Sequence, residues 1–405
     1  MRHWLPARGV RGWVALAALA VLLAAALADL GLWYARGWGG FSSKANFASH
    51  FWPYLALGGA VAGLLARGVP NALRSVPTLW LLASLALQHG GLLFPPSPLP
   101  PPAGPTLRVM TLNLGKFLER RHAATAFLRE RRDVDVLFLQ EVHDTEARRD
   151  RPAFEAALGG RLPHAAWLRG PTRGSSRFGL AILSRHPLRE ARAVPLPPGA
   201  ETSTLCQGTE ALVAKALVGG RAVRLATTHL CPPHVPWFDP RLRSVRVFPR
   251  SIWTWPGAIR EVEYARRSQI AHLLLLAEGG VEPFILGGDL NTTPMSLDLL
   301  PLSRRLRSAF DERGLGFGYT FYVGPIGARI DHMFYSEGLR ARSAAVAEAD
   351  VSDHRPLEAV LEILPQAGGF LRPRGGRETN RSESVFPRWG LAPGPAENLL
   401  ARRLD

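Results

Sequence analysis

Asp289 and Asn291 stand at the polar end of an apolar run, Phe284-Ile-Leu-Gly-Gly-Asp-Leu-Asn-Thr-Thr-Pro294. The run reads as a buried strand opening into a loop, so a carboxylate and a carboxamide two residues apart can reach one place. An Asp there can take a proton from water, and an Asn can hold an oxygen without adding charge. Gly287 and Gly288 let the backbone pass close to a substrate or a metal. Asp, Asn, Thr and Pro are also turn formers, so this run alone reads equally well as an Asx-turn closing a strand. Further stretches of the same make change that balance. Thr106–Gly115 is a strand ending in Asn113, Val134–Glu141 delivers Glu141, and Ala222–Leu230 brings His229 to a strand end. Arg329–Tyr335 and Val351–Pro356 add Asp331, Asp353 and His354.

In order and residue type these motifs resemble the endonuclease/exonuclease/phosphatase family, over about residues 106 to 363. The resemblance implies an α/β fold, a four-layer DNase I-like α/β sandwich whose loops converge on a site at one end of two sheets. It also implies metal-dependent hydrolysis of a phosphoester. A hard cation, Mg²⁺ or Mn²⁺, neutralises phosphoryl oxygens and is held by one or two carboxylates. By resemblance Glu141 is its ligand, with Asn113 beside it and Asp353 as a further ligand or outer group. Asp289 then orients or deprotonates the attacking water, and Asn291 holds a phosphoryl oxygen. His354 sits at the phosphate with Asp331 fixing its tautomer, and His229 is a second imidazole there. His332 adjoins Asp331 and should face the other side of its strand, outside the site. His143 and Asp144 follow Glu141 with nothing to fix their direction. Leu114-Gly115 stands where nuclease members often carry an acidic residue, and the tyrosine of abasic-site nucleases has no clear match. Repair of abasic DNA is therefore not expected.

The elements that must position these residues alternate between strand and helix. Glu119–Arg132 has helical spacing and leads into the strand of Glu141, and Glu261–Glu278 is a second helix ending at Gly279-Gly280. Gly179–Ser184, Ala211–Val218 and Ala222–Thr228 read as strands, the last two joined by Gly219-Gly220, and His354–Leu364 closes a sheet.

Residues 1–94 differ from the rest. Trp13–Ala28, Phe51–Ala66 and Val76–Phe94 carry no charge, and with their flanks they approach the roughly 20 apolar residues a span requires. About three transmembrane helices are expected, although the first run also suits a cleaved signal peptide ending near Ala28. Arg2, Arg8 and Arg11 precede the first span, and Arg67 and Arg74 lie between the second and third. This pattern predicts a multi-pass cell-membrane protein with its N-terminus inside and its catalytic domain on the extracytoplasmic side. If only two segments span, the domain faces inward. Residues 95–105 form a proline-rich linker, expected to be a stiff extended spacer. The catalytic domain covers 106–364, and 365–405 read as a disordered basic tail.

Cys206 and Cys231 are either one disulfide or two buried thiols. Cys231 follows His229 by two residues, but a cysteine nucleophile wants a partner base and no metal carboxylates. The net charge of +16 favours anionic partners, yet with lysine only at 44, 116 and 215 the excess also fits a GC-rich genome in which Arg replaces Lys. Cys231–Pro256 interleaves Trp237, Phe238, Phe248, Trp253 and Trp255 with Arg241, Arg243, Arg246 and Arg250. Such an insertion can stack bases, enter a head-group layer or simply pack on the domain. The expected partners are the lipid bilayer and a phosphorylated lipid or head-group substrate. DNA is the alternative, for a tethered nuclease, and the oligomeric state is left open. A binding module without activity would require lost site residues, and none is lost.

Overall fold

The structure is a computed structural model that describes residues 10–38, 46, 49–66, 69–115, 120–145, 148–168, 178–196, 210–232, 238–239, 244–245, 251–323 and 325–365. The N-terminal elements are α1 (Val10–Trp38), α2 (Trp52–Leu65) and α3 (Asn71–Leu93). There follow β1 (Thr106–Asn113), α4 (Arg121–Glu130), β2 (Val136–Thr145), β3 (Arg148–Arg149), α5 (Asp150–Leu158), β4 (His164–Leu168) and β5 (Phe178–Ser184). Next come β6 (Leu188–Pro195), β7 (Glu210–Val218), β8 (Arg221–His229), β9 (Phe238–Asp239), β10 (Ser244–Val245), α6 (Ser251–Glu278) and β11 (Phe284–Asp289). The chain closes with α7 (Leu300–Arg305), β12 (Arg307–Ser308), α8 (Ala309–Arg313), β13 (Phe321–Val323), β14 (Ile326–Ala328), β15 (Asp331–Tyr335), β16 (Leu339–Val346) and β17 (Leu357–Ile363).

Strand alternation builds the layers. In β1, Leu107 and Val109 enter the core between two sheets, while Met110 and Leu112 face the opposite way, against α4 and α5. In β11, Ile285 joins the central core, while Phe284 and Leu286 pack with Ile270 and Leu273 of α6. The result is helix, sheet, sheet, helix, the layering that the family resemblance implies. One sheet runs β16-β17-β1-β2-β5-β4 and the other β12-β15-β11-β8-β7-β6. In each, the central pair is parallel, β1 with β2 and β8 with β11, so their C-terminal ends emerge side by side at one end of the sandwich.

The glycine pair before Asp289 has a different reason from the one expected. A Cβ on Gly287 would lie 2.3 Å from the Phe138 ring of the facing sheet, and one on Gly288 would lie 2.3 Å from the Thr228 carbonyl of β8. These glycines admit the neighbouring sheet and strand, not a ligand. Helix α6 begins at Ser251, so the end of the aromatic insertion, Ser251–Pro256, is helical and not loop. Most of the rest of that insertion, the tail and Cys206 lie outside the described residues. Cys231 is disulfide-bonded and buried, which removes it as a nucleophile.

The N-terminal region corrects the expectation of three spans. Among the described residues, only α1 carries a stretch, Trp13–Leu32, long and apolar enough to cross a membrane; α2 has 14 residues, and α3 includes Arg74 and an internal Pro77. The multi-pass topology, and the extracytoplasmic placement derived from it, lose their basis. The three helices nonetheless form one packed unit. Asp29 of α1 is buried and accepts from the indole N–H of Trp52, the indole N–H of Trp80 at 2.7 Å and the hydroxyl of Ser84 at 2.9 Å. Nor is the proline-rich segment a free spacer. Arg313 donates to the Ser97 carbonyl at 2.8 Å, Arg342 to that of Pro100, and the Ala103 amide to Glu362 at 2.6 Å.

Substituting Gly287→Ala should press a methyl into the Phe138 ring and cost about 1–3 kcal/mol of stability. A lowered thermal midpoint, partly restored by Phe138→Leu in the same chain, is the expected result.

Candidate active site

Residues at alternate positions of the central strands point between the sheets, and at the C-terminal ends that face turns polar. Thr111 and Gln140 come first, one step below the rim. The Gln140 amide donates to Thr111 at 3.1 Å and to Thr227 of the other sheet at 2.8 Å, lacing the sheets together. One step further out stand Asn113, His229 and Asp289, and the register sets His229 and Asp331 on either side of Asp289.

Glu141 breaks the alternation. By parity it should face α4 and α5, but its φ of 53° and the bulge between Leu139 and Val142 redirect it. A glutamate in the left-handed region is strained, and such strain is retained where the surroundings enforce it. Arg121 enforces it. Its buried guanidinium donates to the carbonyls of Leu114, of Gly115 at 2.8 Å and of Glu141 at 3.0 Å, and it pairs with buried Asp150 at 3.2 Å. Asp150 in turn accepts the His143 amide at 2.8 Å. Arg121 and Gln140 escape sequence reading because each resembles an ordinary helix or strand residue.

Asp289 is the centre. Its Oδ1 accepts the Asn291 amide at 2.8 Å and its Oδ2 accepts the Asn113 amide at 2.9 Å. His229 Nε2 lies 3.5 Å and His354 Nε2 3.8 Å from the same Oδ2. Burial, and then the charge of Asp331, raise the Asp289 carboxyl to about 6 against the opposing pull of the imidazoles and Asn113. That value suits a general base near neutrality. His354 Nδ1 donates to Asp331 Oδ2 at 2.8 Å. Burial disfavours the imidazolium, but Asp331, and after it Asp289 and Asp353, outweigh burial and raise His354 to about 10. Phe321 lies against the His354 ring, with centroids 5.0 Å apart. Asp331 is set by Thr320, whose hydroxyl oxygen accepts the Asp331 amide at 3.2 Å.

Asn291 has a φ of 51° and spends one amide N–H on the Leu230 carbonyl at 2.8 Å. His332 faces away as expected, donating to the Thr292 carbonyl at 2.8 Å, and burial lowers it to about 4. His143 is buried behind Glu141, and the side chain of Asp144 lies outside the described residues.

The donor set fits a hard cation. Glu141, Asp289 and Asp331 are buried carboxylates, and the Oδ1 of Asp331 has no hydrogen-bond partner among the described residues. Ligand atoms of Asp289, Asp331 and His354 lie within 4.8 Å of one another, but His354 and Asp331 already bind each other. Asn113 stands between two of these carboxylates. Its Oδ1 accepts the Gly115 amide at 2.9 Å, so it turns its N–H to Asp289 and, at 3.3 Å, to Glu141. Asp353 lies against Gly115, whose φ of 65° and missing side chain leave room for its carboxylate.

A model of the Endonuclease/Exonuclease/phosphatase family matches residues 110–354. No curated protein matches the chain. Among solved structures, an endonuclease/exonuclease/phosphatase from Beutenbergia cavernae DSM 12333 is 22% identical, covers 64% of this chain and 72% of its own, and superposes with a TM-score of 0.49. A second, from Bacteroides vulgatus, is 17% identical, covering 64% and 100% with a TM-score of 0.47. Sphingomyelinase C from Streptomyces griseocarneus is 18% identical, covering 63% and 99% with a TM-score of 0.45.

Asp331→Asn should keep the shape of the His354 contact and remove its charge. A rate about 10–100-fold lower is expected for a partner that orients a site histidine, measured on bis(p-nitrophenyl) phosphate with the fold checked by circular dichroism.

Proposed function

The chain belongs to the endonuclease/exonuclease/phosphatase family, and from that premise we propose a membrane-attached, Mg²⁺-dependent phosphoesterase whose substrate is a phosphodiester or pyrophosphate of an envelope lipid or its head group. Hydrolysis of phosphoester bonds with a metal ion is the chemistry of the family. The observation that carries the reading for this chain is the Asp289 carboxylate, raised to about 6 and set between two imidazoles.

Glu141 and Asp353 would hold the cation, which when bound supplies positive charge to the phosphoryl oxygens. The remaining steps belong to the chain. Asp289, aligned by Asn113 and by the Asn291 amide, takes a proton from the attacking water. Protonated His354, held through Nδ1 by Asp331, donates from Nε2 to a phosphoryl oxygen. His229, between Asp289 and Glu141, is placed to donate to a non-bridging or leaving oxygen. The second N–H of Asn291 is available for a phosphoryl oxygen.

The lipid reading is supported by where apolar surface is exposed. Among the described residues, the large exposed apolar side chains outside the stretch Trp13–Phe94 are Tyr264, Leu275, Val281, Leu315, Tyr322 and Ile326. The others lie on or beside α1, α2 and α3, so exposed apolar surface is concentrated on the helical unit that carries the candidate span. The first helix provides the attachment.

The test uses the full chain in detergent with Mg²⁺, offered vesicles of a phosphodiester lipid, vesicles of a lipid pyrophosphate, and plasmid DNA, with Asp289→Ala as the blank. Release of head group or phosphate, absent in the blank, is expected. Nicked plasmid with inert vesicles would replace the lipid reading with a tethered nuclease. Glu141→Gln should raise the Mg²⁺ needed for half-maximal rate by about tenfold or more, and chelation should abolish turnover.

A further inference from the structure

The catalytic loop after Asp289 does not end in solvent. Its residues Thr292–Asp298 and the nearby Gly327 meet three polar side chains of the N-terminal region: Asn46 and His50, which precede α2, and Tyr54 in its first turn. Asn46 is fully buried and uses both ends of its carboxamide. Its Oδ1 accepts the Ser296 hydroxyl and the Leu297 amide, each at 2.8 Å, while its Nδ2 donates to Glu263 at 3.0 Å and to Asp298 at 3.1 Å. His50 Nδ1 lies 3.1 Å from the Thr293 hydroxyl and accepts the Thr293 amide at 3.4 Å. The Tyr54 hydroxyl donates to the Gly327 carbonyl at 2.8 Å and accepts the Gly327 amide at 2.6 Å. Met295 itself packs in the apolar cluster of the helical unit, with Leu22, Trp52 and Leu81.

Asn46 connects to the site through a buried ion pair. Arg266 of α6 pairs with Asp298 at 3.0 Å and donates through its other terminal nitrogen to the backbone carbonyl of Asn291 at 3.1 Å. Asn291 is the residue in the left-handed region whose amide aligns Asp289. Asn46 therefore shares Asp298 with the guanidinium that holds the catalytic turn. Nothing else described reaches Asp298, Ser296 and Leu297 together.

We propose that Asn46 is a positioning residue for the catalytic loop, so that the N-terminal helical unit completes the active site as well as attaching it. Asn46 touches no reacting atom. It neutralises nothing, yet it supplies the donors and acceptors without which two buried carboxylates and a backbone amide lose a partner, and the turn at Asn291 loses its fixed geometry.

The test compares full-length wild type with Asn46→Ala and with Ser84→Ala, which loosens the helical unit at Asp29 without touching the loop. Two readouts are taken: kcat and KM for bis(p-nitrophenyl) phosphate with Mg²⁺, which rests on the phosphoesterase reading, and hydrogen exchange of peptides covering 286–300, which does not. Asn46→Ala is expected to lower kcat by about a hundredfold with KM little changed, the signature of a displaced catalytic group. Exchange within 290–298 should accelerate by about tenfold while β1 and β2 stay protected, and Ser84→Ala should alter neither readout. Unchanged exchange and kcat in Asn46→Ala would overturn the proposal and leave the segment as an attachment only. Faster exchange with no turnover in wild type would uphold the docking while removing the phosphoesterase reading. Should Asn46→Ala not fold, His50→Ala reads the same loop through Thr293, with the same expected and overturning results.

Discussion

A carboxylate buried at the junction of two sheets must be surrounded by donors, and the structure around Asp289 follows from that requirement. Left without partners, such a group costs several kcal/mol or takes up a proton. Its donors come from separate elements: Asn113 from β1, His229 from β8, the Asn291 amide from the following turn, and His354 from the approach to β17. They meet only if the two sheets stack with their central strand ends level. Gly287 sets that stacking by admitting Phe138, and Gln140 fixes it by bonding Thr111 and Thr227 across the gap. Asp289 is thus held in a state between full solvation and full neutralisation, which is what a base working near neutrality needs.

Much of this was legible because strand parity is a simple rule. Asn113, His229 and Asp289 share the parity of Val109, Leu225 and Ile285, so a reader who places the core also places the site. His332 is excluded by the same rule. Glu141 is the exception, since parity sends it to the helix side, and only its positive φ returns it. Sequence order and residue type identified it through family resemblance, not through its local pattern. The orientation of the Asn113 carboxamide was beyond reach altogether, because it depends on whether the Gly115 amide claims the oxygen.

The helical region shows what hydropathy leaves out. Uncharged runs were read as spans, yet an uncharged run says only that water is absent, not what replaces it. In α2 the replacement is other helices: a Cβ on Gly59 would meet Ala25 and Leu81, and one on Gly63 would meet Thr78 and Leu22. Close packing of this kind accounts for one face of this 14-residue helix by protein contacts alone. The contacts of Asn46, His50 and Tyr54 with the catalytic domain were invisible for a related reason. Each is an ordinary polar residue by its local pattern, and its partner lies more than 210 positions away.

The pair of Arg266 and Asp298 raises the question of why an ion pair should be buried beside a catalytic loop at all. Such pairs add little net stability, because desolvating two charges offsets most of their attraction, whereas removing one partner is costly, about 3–5 kcal/mol. Their effect is therefore on which conformation is allowed more than on how stable it is. An apolar pair of equal volume would hold α6 to the loop as firmly but would leave the Asn291 carbonyl without a donor in a turn whose φ is already 51°. The charged pair tolerates one arrangement of that turn, and the carboxamide of Asn46 adds a further donor to the same Asp298 Oδ2 that Arg266 holds. The enzyme's attachment to its helices and the alignment of its base are in this way a single hydrogen-bonded structure.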